Sequence, residues 1–256
     1  MSASVYRNCL LVLMTLALSG CAHGPPKCQE EIELLLWEIS IQPADAKHSE
    51  VSQALRQEFQ LRVRQCPEAL RQGITQTWFG IIDSDVWFSP LTLAAFTNDK
   101  ELVFELLGSA DDWVQRIEKA KLDVAHPLHV AAFEADTDVV RALVAYGFDP
   151  NRRDVNGLRP LNHAISGLRP LENAGVLLAL GGEPCPEGPV DASPLMVAAL
   201  LNEIEVARAL LAECKPGAVS SESLQRLIDR ALERDHFELA EFFEAALAGN
   251  SDTVPP

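Results

Sequence analysis

The stretch HPLHVAAFEADTDVVRALVAYGFDPNRRDVNG, from His126 to Gly157, opens on two histidines three residues apart. At that spacing a pair of imidazoles could share a metal ion, or both could be scaffold. The residues around them decide between the two. Pro127 suits the first turn of a helix, where its missing N–H would have had no intrahelical partner. Ala131 and Ala132 keep that short helix slim enough to lie close against a neighbour. Val139, Val140, Leu143 and Val144 then recur at helical spacing on a second helix. Neither helix can bury its apolar face alone, so the unit needs copies of itself to stack on.

Copies are present. Pro-Leu recurs at Pro90, Pro127, Pro160 and Pro194, at separations of 37, 33 and 34 residues. Three of the units read SPLTLAAF from Ser89, HPLHVAAF from His126 and SPLMVAAL from Ser193; the other reads RPLNHAIS from Arg159. Ser89 and Ser193 stand where a side-chain oxygen can cap the helix. A second apolar helix follows in the first unit (Leu102, Val103, Leu106, Leu107) and in the fourth (Ile204, Val206, Leu210, Leu211).

These residues resemble an ankyrin-repeat protein. The match lies in Pro-Leu-His-x-Ala-Ala, in the second helix, and in a connection carrying Gly147, Asp149, Asn151, Asp154 and Gly157. The resemblance implies an all-α solenoid of stacked helix pairs over residues 84–248, about five repeats with the last as a cap. It makes Pro90, Pro127, His129, Gly147, Asp154, Gly157, Pro160 and Pro194 structural, with His129 tying neighbouring repeats together. Departures are expected to have consequences. His126 and Arg159 replace the usual threonine and weaken capping, Gly108–Ala125 lengthens the first connection, and Leu168-Arg169-Pro170 makes the third unit irregular. Residues 28–83 carry a different helical pattern, read as an N-terminal cap or as a small separate domain, and residues 249–256 read as a loose tail.

Ahead of these lies MSASVYRNCLLVLMTLALSGC, in which Arg7 precedes an apolar run from Leu10 to Leu18. The run is short for a spanning helix and reads as a secretory signal over residues 1–20. Leu18-Ser19-Gly20-Cys21 resembles the lipobox of bacterial lipoproteins, which implies acylation of Cys21, a tether over 21–27, and attachment to a membrane through lipid alone. By the same analogy, Ala22 points to the periplasmic face of an outer membrane. Loss of the leader removes only Arg7 among charged residues, so the formal net charge moves from −16 to −17. Such acidity argues against nucleic acid and anionic lipid as partners. An oxidising compartment would let Cys28, Cys66, Cys185 and Cys214 pair, in one of three connectivities. Helix ends favour Cys28–Cys66, which leaves Cys185–Cys214 as the companion pair on a weaker footing, because Cys185 lies in a Pro/Gly-rich loop.

No Gly-x-Ser-x-Gly elbow, P-loop or His-Glu-x-x-His helix is written in the chain. The run from Asp149 has Asp154 and Pro160 where a calcium loop needs Gly and Glu. The expectation is therefore no enzyme, no cofactor, no metal and no small-molecule substrate, but a protein partner. Ankyrin resemblance places variable, partner-facing positions at Phe96, Thr97, Phe133, Glu134, Leu200 and Leu201, with Ser166 and Gly167 in the third unit. Val155, Asn156 and Leu158 are their counterparts on the connection. Phe96 and Phe133 would form an aromatic anchor, or else pack beneath the connections and cap. Trp113, Arg152 and Arg153 are rim candidates. Two roles fit: a scaffold or stabiliser of a resident protein, and an immunity protein that masks a basic, periplasm-acting toxin.

Overall fold

The computed structural model describes residues 28–40, 50–77, 85–109, 111–119, 123–185, 193–215 and 217–251. The leader, Cys21 and the tether lie outside the described residues.

Five helix pairs follow one another in the chain: α4 (Pro90–Phe96) with α5 (Lys100–Leu107), α7 (Pro127–Glu134) with α8 (Thr137–Tyr146), α9 (Pro160–Ile165) with α10 (Pro170–Ala179), α11 (Pro194–Leu201) with α12 (Ile204–Glu213), and α13 (Ser221–Leu232) with α14 (Phe237–Ser251). First helices stack on first helices and second on second, as the alanine pairs allow. Ala94, Ala95, Ala131, Ala132, Ala198 and Ala199 are all fully buried.

Local chemistry sets the pairs. Ser89 Oγ accepts from the Thr92 N–H and Ser193 Oγ from the Met196 N–H, while His126 makes no such cap. At Arg159 the backbone N–H instead donates to Asn162 Oδ1. Each second helix carries a carboxylate in its first turn, Glu101, Asp138, Glu172, Glu205 and Glu238, beside the positive end of the helix dipole. Asn98, Asn202 and Asp235 turn one helix into the next with φ of 54°, 61° and 60°, a left-handed geometry that short polar side chains tolerate.

Among the described residues the third unit departs from the others at its turn. The second helix, α10, forms in full, with Pro170 in its first turn. The first helix stops at Ile165, and Leu168 N–H donates to the Phe133 carbonyl at 2.8 Å. A Cβ on Gly167 would overlap that carbonyl, so the close approach demands glycine.

N-terminal to the stack stand α1 (Cys28–Ser40), α2 (Glu50–Gln65) and α3 (Pro67–Gln72). The Cys28–Cys66 disulfide joins the start of α1 to the end of α2, with Cα atoms 5.6 Å apart. Ile32, Leu36, Phe59 and Val63 run without a break into the core of the repeats, which continues to Phe243. These helices close the open end of the first repeat.

Three short strands add to the helical pattern. β1 (Ile74–Thr77) pairs antiparallel with β2 (Asp85–Phe88), and β3 (Asp123–Val124) pairs parallel with β2. Within the long first connection, α6 (Trp113–Glu118) buries Trp113, whose Nε1 donates to the Leu106 carbonyl at 2.8 Å. Trp113 is thus core rather than rim. At the other end α14 continues to Ser251, so residues 249–251, read as tail, are helical.

Candidate partner-binding surface

His126 and His129 are scaffold by their contacts. His129 Nε2 lies 3.1 Å from the Arg152 carbonyl and 3.3 Å from that of Leu158, tying α7 to the connection that follows it. Burial, with the neighbouring His163, lowers its pKa to about 4. His126 is pushed lower, to about 3, by burial and by His129, and it packs edge-on against His129 and Phe148. Two neutral, buried rings in line with His163 make a packing column. Among the described residues no group of three or more His, Cys, Asp or Glu could hold a metal.

The connection is built on Asp154. One carboxylate oxygen accepts from the N–H groups of Asn156 and Leu158, both at 2.9 Å, and the other meets His163 Nε2 at 2.8 Å. Burial alone would raise this carboxyl, but His163 and the two N–H groups hold it below its ordinary value. Gly147 and Gly157 take φ of 124° and 77°, which only glycine adopts without strain. The turn pushes Val155 and Asn156 outward, with Val155 67% exposed, while Leu158 is half-buried. Arg152 pairs with Glu118 and Arg153 donates to the Gly157 carbonyl, so both brace the connection.

The first-helix positions divide into two groups. Phe96 is buried: Phe59 of α2 meets it edge-to-face with ring centroids 5.3 Å apart, and the Arg56 guanidinium lies 5.7 Å from its centroid. Glu134 is buried beneath an ion pair with the same Arg56. Thr97 turns its hydroxyl back onto the Leu93 and Ala94 carbonyls, and Phe133 is half-buried. The aromatic anchor expected at Phe96 is therefore corrected, and Phe133 no longer has an exposed aromatic partner. The chain's own helix α2 covers the position, because burying Phe59 and Phe96 against each other removes two large apolar faces from water. Farther along, Leu200 is half-buried and Leu201 is 48% exposed.

Arg64 completes the grip of α2. It forms an ion pair with the buried Asp99 and lies 3.8 Å from Glu101. Burial alone would raise the Asp99 carboxyl; Arg64 and the Leu102 N–H, which Asp99 also caps, hold it below its ordinary value. Arg56, Phe59 and Arg64 hold the cap in place, a role that the repeat pattern did not disclose, since they lie outside it.

The Cys185–Cys214 disulfide, with Cα atoms 5.7 Å apart, borders a cleft of about 640 Å³. Arg159, Glu183, Glu213 and Lys215 give it a charged wall, unlike the apolar lining of small-molecule sites.

Residues 128–172 match the family model described as ankyrin repeats (many copies). No curated protein matches the chain. With that segment set inside a continuous stack of five helix pairs, the fold is an all-α ankyrin-repeat solenoid with a helical N-terminal cap, an architecture that serves protein–protein interaction.

Proposed function

We propose that the chain is a membrane-anchored lipoprotein of the bacterial envelope, facing the periplasm, that binds a partner protein as a scaffold or stabiliser. The observation that carries the binding role is the division of the stack. Helix α2 covers Phe96 and Glu134 at the first-helix ends of the first two repeats, whereas Val155 and Asn156, on the connection that follows the second repeat, and Leu201, in the fourth, stand open. The lipobox-like Leu18–Cys21 supports the anchor, and two disulfides suit an oxidising compartment. A net charge of −16 favours a basic partner, which keeps an immunity protein against a basic toxin as the second reading.

The test combines capture with deletion. The protein is used to retain binders from an envelope extract beside a Val155→Arg, Leu201→Arg version. One protein held at stoichiometric yield by the first and lost by the second supports the reading; equal retention by both rejects the face. Deleting the gene should weaken the resident partner's pathway if the chain is a scaffold, and should harm cells only in the toxin's presence if it confers immunity. A Cys21→Ser protein should leave the membrane pellet. Retention there rejects the lipid anchor.

A further inference from the structure

Each second helix begins with the same short register. A buried pair stands in every repeat: Leu102-Val103, Val139-Val140, Asn173-Ala174, Val206-Ala207 and Leu239-Ala240. One residue ahead of the pair is always a carboxylate, and the helix dipole accounts for it. Two residues ahead, the chain reads Lys100, Thr137, Leu171, Ile204 and Phe237. This position is polar in the first two repeats and apolar in the last three. Ile204 is half-buried against the core, but Leu171 is 48% and Phe237 60% exposed, so packing does not explain an apolar residue at those two. Leu201, also exposed, ends α11 three residues before Ile204 begins α12.

The first repeat shows what this edge accepts. Arg64, on helix α2, reaches both Asp99 and Glu101, the carboxylates three residues and one residue ahead of the buried pair. In the fourth repeat the same two positions are Glu203 and Glu205. Glu205 meets only Arg208 of its own helix, at 3.7 Å, and no cation lies within ion-pair distance of Glu203 among the described residues. Burial raises the Glu203 carboxyl above its ordinary value. A half-buried carboxylate without a cation can accept charge-assisted hydrogen bonds from an incoming arginine.

We propose that the edge formed by Leu171, Leu201, Ile204 and Phe237 docks an amphipathic helix of a partner protein, carrying apolar residues about seven apart with arginine or lysine beside them. This rests on the reading of the chain as a protein-binding module. Packed helices stand roughly 8–10 Å apart and a helix rises about 1.5 Å per residue, which spaces successive anchors about five to seven residues apart; about seven, close to two full turns, returns to the same face. Helix α2 is the precedent within the chain, carrying Phe59 between Arg56 and Arg64. Charge selects the sign of the partner. Residues 161–250 hold six Lys+Arg against fourteen Asp+Glu, a net of −8. A second copy of the chain would bring Glu172, Glu205 and Glu238 against themselves, which opposes self-association by this edge.

The test uses the full-length protein in lipid nanodiscs and a synthetic helical peptide of about 18 residues, with leucines about seven apart flanked by arginines. A matched peptide has glutamate for arginine. Anisotropy titration should show binding of the arginine peptide alone, weakened about tenfold or more by Phe237→Glu and by Glu203→Lys. Amide exchange should slow at 203–208 and 236–241. Phe237 is 60% exposed and Glu203 half-buried, and circular dichroism checks that both variants stay folded. No binding, equal binding of the two peptides, or affinities unmoved by the substitutions overturns the proposal. A dimer in sedimentation that Phe237→Glu dissolves makes a second copy the occupant and also overturns it. If a captured envelope protein survives Phe237→Glu and Glu203→Lys, the edge is refuted while the protein-binding reading stands.

Discussion

Replacing Phe59 by alanine tests whether α2 is part of the repeat fold or a neighbour of it. Phe59 is fully buried and meets the buried Phe96 edge-to-face. Removing a buried phenyl ring costs about 3–5 kcal/mol, the lower end where the structure can collapse into the cavity. Here collapse is opposed, because α2 is held by Arg56–Glu134, by Arg64–Asp99 and by the Cys28–Cys66 disulfide. The expected loss is therefore in the upper half, about 4–5 kcal/mol. Leu61→Ala, on the exposed side of the same helix, should cost about 0.5 kcal/mol or less. Urea unfolding followed by tryptophan fluorescence and by far-ultraviolet circular dichroism gives both values. A loss below about 1 kcal/mol would refute the reasoning. So would an early transition of the hairpin that leaves the repeats at their parent midpoint, the behaviour of a separate domain.

Three further outcomes follow from the same contacts. His129 and His126 titrate near 4 and 3 in the fold against 6.5 ordinarily, so the unfolded chain takes up protons first. Stability should be full above pH 6.5 and fall towards pH 4, by about 3 kcal/mol for His129; a flat urea midpoint across that window would contradict the neutral, buried assignment. Replacing Cys28 and Cys66 by serine opens a link between residues 38 apart and should cost about 2–4 kcal/mol in urea under oxidising conditions, with no effect of the substitution once the parent is reduced. Gly167→Ala should cost about 1–3 kcal/mol, because its methyl group meets the Phe133 carbonyl; a neutral result would show that the third turn relaxes freely.

The repeats were legible because their signals are local. Pro-Leu before an alanine pair specifies a helix start and a close-packed face within eight residues, as in SPLTLAAF, and the period then dictates stacking. Ser89, Ser193 and His129 do what their positions imply. Phe96 was not legible. Its partner, Phe59, lies 37 residues away in a helix with no repeat register, and only the folded hairpin brings them together. The strands ITQT and DVWF are four residues each, too short for alternation to declare itself. Trp113 looked like part of an exposed insertion because nothing in its sequence shows that its indole N–H reaches the Leu106 carbonyl. The apolar row at Leu171, Ile204 and Phe237 was present in the sequence, but it stands out only when the repeats are registered on their buried pairs.

Helix α2 covers the first-helix ends of the first two repeats, and the proposed partner takes the later ones. A photo-crosslinking phenylalanine analogue placed at Leu201 or at Phe96, in cells that make the protein, tests it most directly. The account predicts a crosslink to a second protein from position 201, and from position 96 only a crosslink within the chain, to the α2 segment around Phe59. A second protein captured from position 96, with none from position 201, would contradict it.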